Sequence, residues 1–227
     1  MGQRQLKNTK DSTPSPSNIL TPRGRRALLA VTVASLVLFS GVVWYAPEIL
    51  LRATVDLWTV SDEPEPADAV AVFGGGLATR PFAAASYYRE GLVREVLVSN
   101  VPPQPILPGL FHYETNQNRE ELIKNGVPAE AIELLGENLK STYEEAVALR
   151  SWALRNHAHT IIVPTEYFPS RRIHWILEHE FYGTGVRILV PALDTPQYSR
   201  RDWWKDQGAI DEFKSEIIKN IYYRLVY

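Results

Sequence analysis

A run of three glycines followed by an arginine is the first pattern in the sequence that could bind a ligand. Gly74, Gly75 and Gly76 follow an apolar run at residues 69–73, and Arg80 comes one helical turn later. Because glycines lack side chains, their backbone N–H groups at the start of a helix can approach an anion such as phosphate. Arg80 could add positive charge there. The glycines could equally form a simple turn, since their spacing is not the dinucleotide-binding pattern G-x-G-x-x-G.

Further polar clusters follow later apolar runs or open predicted helices. The predicted ligand-binding residues among them are Ser99, Asn100, Thr142, Thr165, Tyr167 and Arg171, and the predicted catalytic residues are Glu114 and Glu144. Arg171 could bind phosphate in a bidentate manner. Either glutamate could act as a general acid or base if partial burial raised its pKa. Plainer interpretations stay open, with Thr142 as a helix N-cap, Glu144 favouring the helix dipole and Arg171 as a solvated charge.

Several other chemistries have no support in the sequence. The chain has no cysteine, which excludes disulfides, a thiol nucleophile and cysteine-ligated zinc. It contains no G-x-S-x-G, P-loop or H-E-x-x-H motif. His174 and His179 are five residues apart and share a helix face poorly, while His157 and His159 precede a predicted strand, at the wrong end of the sheet. We therefore expect no metal site and no evident cofactor, apart from a nucleotide or another phosphate-bearing ligand.

Strands that alternate with helices must position these clusters. A short apolar run without polar alternation, residues 69–73, predicts a strand buried on both faces, and further strands are predicted at residues 96–99, 132–135, 160–163 and 186–190. The helices predicted among them cover residues 80–90, 114–125, 141–156, 171–181 and 210–225. This order predicts an α/β fold, a Rossmann-like three-layer sandwich with a mostly parallel five-stranded sheet. The polar clusters would then lie at the carboxyl ends of the strands, where such sheets bind ligands.

Two local predictions accompany this fold. A Pro-rich loop is expected over residues 101–111. The last helix is expected to be amphipathic, because apolar residues recur in it at helical spacing. They are Ile210, Phe213, Ile217, Ile221 and Leu225.

Residues 27–46 contain no charged side chain and predict one transmembrane helix, since twenty helical residues rise roughly 30 Å, about the thickness of a bilayer core. The 26 residues before this segment carry six basic residues and one acidic residue, a charge of +5. By the positive-inside rule, the N-terminus is cytoplasmic and the domain extracytoplasmic. A cleaved signal peptide and a buried core helix are the alternatives. No small-residue cleavage site follows, and Trp44 and Tyr45 suit an interfacial anchor.

The chain thus divides into four predicted segments. They are a disordered basic cytoplasmic tail (1–26), the transmembrane helix (27–46), a juxtamembrane linker (47–66) and an α/β domain (67–227). Removing the tail's charge of +5 from the chain's −2 leaves −7 for residues 27–227. A domain with a net negative charge is a poor candidate for general nucleic-acid binding. The expected partners are therefore the membrane and a phosphate-bearing small molecule or lipid-linked precursor.

Several sequence blocks, in the correct order, resemble the YdcF/SanA/ElyC-like family over about residues 67–227. They are the first strand with Gly74–Gly76 and Arg80, Ser99, Glu114 before Gly126-Val127-Pro128, Ser141 to Ala146, Pro164 to Arg171, Trp203-Trp204, and Glu216 to Tyr223. Asn100 replaces the family's usual glycine, and Ser141 and Glu145 replace asparagines. Phe168 stands where many relatives carry histidine, so a proton-transfer role there does not carry over.

The resemblance implies a Rossmann-like fold behind a membrane anchor and a role in the envelope of bacteria, and hence a single-pass protein of the inner membrane. It implies no defined reaction. One predicted function is an enzyme or binding domain for a phosphate-bearing envelope metabolite; as an enzyme it would be a transferase or hydrolase. The other is a non-catalytic module that binds an envelope protein and regulates wall or surface-polymer assembly. Trp175, Trp203, Trp204 and the aromatic C-terminal helix would then form a contact face, although packing against the sheet is the plainer interpretation of these aromatic residues.

Overall fold

The chain divides into two units, Met1–Pro47 and Glu48–Tyr227. The computed structural model describes residues 22–107 and 110–227. Most of the tail that is predicted to be disordered, residues 1–21, lies outside the described residues.

Helix α1 spans Pro22–Tyr45 in the first unit. Within it, Arg23–Gly41 form a stretch that is long and apolar enough to cross a membrane. None of that stretch is buried, whereas a helix in the core of a soluble protein is mostly buried. A core helix, one of the two alternatives, does not fit this exposure.

The second unit is a mixed α/β domain. Its elements in chain order are α2 (Pro47–Trp58), β1 (Ala69–Val72), α3 (Arg80–Arg89), β2 (Glu95–Ser99), β3 (Gln104–Leu107), β4 (Leu110–His112), α4 (Glu114–Lys124), β5 (Ile132–Leu135), α5 (Thr142–Arg155), β6 (Thr160–Ile162), β7 (Thr165–Glu166), α6 (Tyr167–Phe181), β8 (Arg187–Leu189), β9 (Ala192–Leu193) and α7 (Gln207–Val226). Short 3-10 helices lie at Ala129–Ala131 and Trp203–Lys205. All five predicted strands are present, which confirms the predicted α/β class.

Five strands form one parallel sheet in the order β5-β2-β1-β6-β8. Alternate residues of β1 enter two separate cores. Ala69 and Ala71 pack with α5 and α6, and Val70 and Val72 pack with α3 and α4. Because both faces of the strand are covered, its sequence is continuously apolar. The chain runs outward from β1 through β2 to β5 and then crosses to β6, so the connections after β1 and β6 diverge at the carboxyl edge.

Residues 47–58 form α2 and not the start of the expected linker. Val55 is fully buried in a cluster with Phe168 and Trp203, and the Trp58 indole donates a hydrogen bond of 2.7 Å to the carbonyl of Phe168. Pro47 at the first helical position and an acidic residue in the first turn are ordinary helix-start signals. This helix therefore belongs to the core of the second unit.

Two local predictions differ from the structure. Within the expected Pro-rich loop, β3 and β4 pair as an antiparallel hairpin. Helix α7 buries Phe213, Glu216 and Tyr223, while Ile221 and Leu225 are 55% and 81% exposed. The prediction that Ile221 and Leu225 belong to the buried face is therefore wrong. An ion pair between Glu216 and Arg172 of α6, with a 2.7 Å contact, turns the polar Glu216 inward and those apolar residues outward.

Candidate functional site

The backbone of the glycine turn after β1 is bound by two glutamates from distant helices. The Gly74 N–H donates to Oε1 of Glu145 at 2.7 Å, and the Gly75 N–H donates to Oε1 of Glu114. Glu114 opens α4 and Glu145 lies in the first turn of α5. The N–H groups that were expected to hold phosphate are thus occupied by carboxylates of the protein itself. The Cβ position of Gly74 lies 3.6 Å from each of these oxygens, so the two carboxylates flank one residue.

Glu145 is the most strongly perturbed carboxyl group at this turn. Burial raises its pKa from 4.5 to about 7, a rise that the neighbouring charge of Glu114 reinforces. The hydrogen bond from Gly74 and the positive charge of Arg80 act in the opposite direction and limit the rise. A carboxyl group with this pKa exists in both protonation states at neutral pH, which suits a general acid or base.

Arg80 is buried, and its guanidinium binds groups in and around the glycine turn. Its guanidinium pairs with Glu166 at 2.7 Å and donates to the hydroxyl of Thr165 at 3.1 Å and to the carbonyl of Phe73 at 3.2 Å. Burial alone would raise the pKa of Glu166, but the adjacent Arg80 charge outweighs it and lowers that pKa. A Cβ added at Gly76 would collide with both members of this pair. Arg80 therefore holds β7 against the glycine turn, and only 4% of the residue is exposed.

A cavity of about 550 Å³ opens beside the two glutamates. We call it the rim cleft, and its walls include Gly74, Glu114, Lys140, Glu145, Arg172 and Lys219. Arg172 is held in place by its ion pair with Glu216 and donates to the Thr142 hydroxyl at 2.9 Å. Lys219 lies 2.9 Å from Glu216 and its side chain is half exposed. The cleft is thus lined both by carboxyl groups and by three cationic groups, Lys140, Arg172 and Lys219, which we call its cationic wall.

The other predicted residues divide between the rim cleft and the interior. Thr142 lines the cleft, while the Glu144 carboxylate accepts a hydrogen bond from the Lys140 N–H and caps α5 outside it. Ser99 is buried; its hydroxyl forms no hydrogen bond of ordinary geometry within the described part, yet it lies close enough to Glu145 to lower that pKa. Asn100 contributes its backbone, which bonds to Leu135 and Leu139.

Tyr167 and Arg171 lie away from the rim cleft. Tyr167 is buried in the cluster that covers α2, where burial raises the pKa of its phenol. Arg171 stacks on the ring of Trp58 and donates to the carbonyl of Trp58 at 2.8 Å and to that of Leu57. The structure thus uses Arg171 to fix the end of α2, and does not bring it to the glycine turn.

The expected tryptophan contact face is largely internal. Trp203 is buried among Phe168 and Phe213, and its indole donates to the carbonyl of Leu51. Trp175 is half-buried and stacks on the ring of His179. Of the three tryptophans, only Trp175 and Trp204 are partly exposed, so the three together form no exposed aromatic patch of the kind expected for a docking face.

Sequence reasoning did not select Glu145, the carboxyl group whose pKa is most strongly raised at this turn, or the cations beside it. In the sequence, Glu145 is a replacement for asparagine and a first-turn residue that favours the helix dipole, and Lys140 and Lys219 carry no signal of their own. A glutamate within the first turn of a helix that follows a strand is a common helix-start pattern. Only its closeness to Gly74, 71 residues earlier in the chain, separates it from the exposed Glu144 next to it.

The rim cleft can bind an anion on its cationic wall and move a proton at Glu145. Among the described residues, no group of three or more His, Asp or Glu side chains is placed to hold a metal ion. Comparisons with models of protein families and with curated protein sequences find no match to this chain. Function is therefore inferred from the chemistry of the site.

Proposed function

We propose that this chain is a single-pass inner-membrane protein of a bacterium, with its α/β domain outside the cytoplasm. The apolar stretch Arg23–Gly41 and the +5 charge before residue 27 support that orientation. We also propose a Rossmann-like three-layer sandwich. Counted in sequence, the five sheet strands lie in the order 3-2-1-4-5, which is that of dinucleotide-binding domains. The family blocks support membership of the YdcF/SanA/ElyC-like family and a role in envelope biogenesis.

The domain binds a phosphate-bearing envelope metabolite, such as a nucleotide-linked or lipid-linked precursor, in the rim cleft. One observation carries this proposal: a carboxyl group with a pKa of about 7, Glu145, lines a cleft that is also lined by Lys140, Arg172 and Lys219. Phosphate would contact the two lysines and the Thr142 hydroxyl, and not the N–H groups of Gly74 and Gly75, which the glutamates occupy. The positive wall suits an anionic ligand although the domain as a whole is acidic.

Turnover would use Glu145 as the proton-transfer group. In a hydrolase, ionised Glu145 would accept a proton from the water whose oxygen attacks phosphorus; in a transferase, it would accept the proton of an attacking hydroxyl group. In either case the bond from phosphorus to the leaving-group oxygen breaks, and that oxygen departs with the bonding electrons and can take the proton from Glu145. The cationic wall would stabilise the charge on the phosphoryl oxygens. Glu114 would remain on the Gly75 N–H and would keep the pKa of Glu145 raised by its charge.

A non-catalytic interaction module is the second candidate function. It is favoured by an apolar stripe along the outer face of α7, whose members Ile218, Ile221, Tyr222 and Leu225 recur at helical spacing and are each more than half exposed. Tyr222 also lines the rim cleft, so a protein bound on the stripe would lie next to the mouth of that cleft.

A ligand-binding screen on the full-length chain in detergent micelles tests the proposal. Thermal unfolding is followed with inorganic phosphate, nucleotides, nucleotide sugars and short prenyl phosphates. A ligand at a hundredfold excess over Kd stabilises the fold by about 2.7 kcal/mol. We expect one ligand class to raise the Tm and Lys219→Met to reduce that rise. Lys214→Met is the matched control, because Lys214 is an exposed lysine of the same helix that lies outside the cleft.

The same samples separate binding from turnover. Release of inorganic phosphate from the stabilising ligand is measured for the natural chain and for Glu145→Gln, with an expected loss of about a hundredfold or more if Glu145 transfers the proton. Stabilisation without release would support binding alone. If no member of the panel raises the Tm of the folded chain, the phosphate-binding proposal fails and the interaction module becomes the better hypothesis.

A further inference from the structure

A second cavity in the domain has a different character from the rim cleft. Its volume is about 710 Å³, and three arginines line it, Arg52, Arg200 and Arg201. Arg52 lies on α2, and the other two follow β9 in the chain, so the fold brings the charges together from distant segments. Asp56 and Asp194 also line it and leave a net charge of +1, in a chain that carries −7 beyond its N-terminal tail.

Two of the three guanidinium groups are held in position by aromatic rings. Arg52 lies over the ring of Trp204 at 5.9 Å and uses its Nε to donate to the carbonyl of Arg201 at 3.1 Å. Arg200 lies over the ring of Tyr167 at 5.6 Å. A guanidinium stacked by its face keeps its edge N–H groups available, and those groups are the ones that bind phosphate in a bidentate manner.

The hydrogen-bonding capacity of this cluster is only partly used. The Nε atom of Arg200 is buried and has no hydrogen-bond partner within the described chain. It forms an ion pair with Oδ1 of Asp56, but the distance of 3.6 Å is too long for a hydrogen bond. The Ser199 hydroxyl accepts from the Arg201 N–H and therefore keeps its own proton for donation. The terminal N–H groups of Arg200 form no hydrogen bond with another described residue and 37% of its side chain is exposed, so an anion in the cavity can bind them.

We propose that this cavity, at Arg52, Arg200 and Arg201, binds the phosphate group of an anionic ligand. The phosphate would take bidentate hydrogen bonds from Arg200 and Arg201 and a further one from Ser199. This site is separate from the rim cleft and does not depend on the chemistry of Glu145.

The phosphate could belong to a lipid headgroup or to a soluble molecule. Helix α1 ends at Tyr45 and α2 begins at Pro47, so Arg52 follows the apolar helix by only two helical turns of chain. If α1 spans a membrane, as proposed above, the chain keeps this arginine near anionic headgroups. The shared chemistry is a phosphate group, and the two sources are distinguished by experiment.

The test uses the full-length chain and two probes. In the soluble arm, inorganic phosphate is titrated into the chain in detergent and its binding is followed by phosphorus NMR. In the lipid arm, phosphatidylglycerol or phosphatidylcholine is added to the micelles, and the lipid retained per chain is counted by native mass spectrometry. Arg201→Gln is the main variant, because its side chain makes no ion pair, hydrogen bond or ring contact with another described residue and its loss should leave the fold intact. Arg119→Gln is the control, since Arg119 is exposed on α4, outside the cavity.

We expect Arg201→Gln to weaken one of the two probes by about tenfold, because each hydrogen bond to a charged group contributes strongly to binding. Arg119→Gln should leave it unchanged. Weakened retention of phosphatidylglycerol, with phosphatidylcholine unaffected, identifies a headgroup site; weakened phosphate binding identifies a soluble ligand. Arg201→Gln should cause the same loss in a Lys219→Met background, in which the rim cleft is impaired, so a failure of the rim-cleft proposal leaves this one standing. Binding of neither probe, or equal losses in Arg201→Gln and Arg119→Gln, would overturn it.

Discussion

Oε1 of Glu145 accepts a hydrogen bond of 2.7 Å from the backbone N–H of Gly74. This contact joins the first turn of α5 to the turn after β1 and places an acidic side chain where a ligand anion was expected. Burial gives the Glu145 carboxyl group a pKa of about 7, so near neutral pH the group that accepts this hydrogen bond changes between its neutral and its ionised form.

Glu145→Gln should change the pH dependence of stability. The pKa of Glu145 is raised in the folded state, so the unfolded chain releases this proton first, and the contribution of the group to stability falls between about pH 4.5 and pH 7. Glutamine has no such titration and can still accept from Gly74. The variant should therefore gain up to about 3 kcal/mol over the natural chain at pH 8, and nothing below pH 4.5.

Urea unfolding of the full-length chain at several pH values measures this difference. Glu144→Gln is the matched control, because Glu144 is the neighbouring residue on α5 and caps the helix from an exposed position. A difference between Glu145→Gln and the natural chain that stays constant from pH 5 to pH 8 would contradict the raised pKa.

Arg80→Met should strongly destabilise the domain. It leaves Glu166 buried without its counter-charge, and breaking a buried ion pair in this way costs about 3–5 kcal/mol. Arg187→Met is the control, since Arg187 pairs with Glu65 on the surface and its loss should cost less than about 1 kcal/mol. Denaturant unfolding compares the two. If both variants lose a similar, small amount of unfolding free energy, Arg80 is not held in a buried ion pair and is free to bind a ligand.

Val55→Ala should destabilise the domain by about 2 kcal/mol, because it opens a cavity where α2 packs on Phe168 and Trp203. Leu57→Ala changes the same helix two residues later, but this side chain is 77% exposed and the effect should stay within about 0.5 kcal/mol. Thermal unfolding of both variants measures the contrast. Equal, small effects would restore the expectation that residues 47–58 act as a linker.

Phe213→Ala and Leu225→Ala test which face of α7 is buried. Phe213 packs against Trp58 and Trp203, so its truncation should cost about 3 kcal/mol. Leu225 faces outward, and its truncation should change the unfolding free energy by less than about 0.5 kcal/mol. Chemical denaturation measures both. A large loss in Leu225→Ala would show that the stripe on α7 is covered in the native protein.

The central strand β1 could be predicted from the sequence because burial on both faces leaves a direct local mark. Residues 69–72 form a short, continuously apolar segment that is followed by a run of glycines. The sequence located the start of α5 to within one residue, because the hydroxyl of Ser141, and not that of Thr142, caps the helix by accepting from the Glu144 N–H. The apolar stretch within α1 can be recognised from the composition of about twenty consecutive residues, without any tertiary contact. Each of these features is set by neighbours in the chain.

The roles of the polar residues at the carboxyl edge were decided by tertiary structure. Gly74 and Glu145 are 71 residues apart, and Arg80 and Glu166 are 86 apart, so no local pattern reveals which side chain occupies which N–H group. Arg171 and Arg172 are adjacent in sequence, yet one fixes α2 while the other reaches the rim cleft through its pairing with Glu216. The sequence by itself determined the order of strands and helices, through local burial and capping. Only the packing of distant elements determined which charges are neutralised inside the domain and which remain available to a ligand.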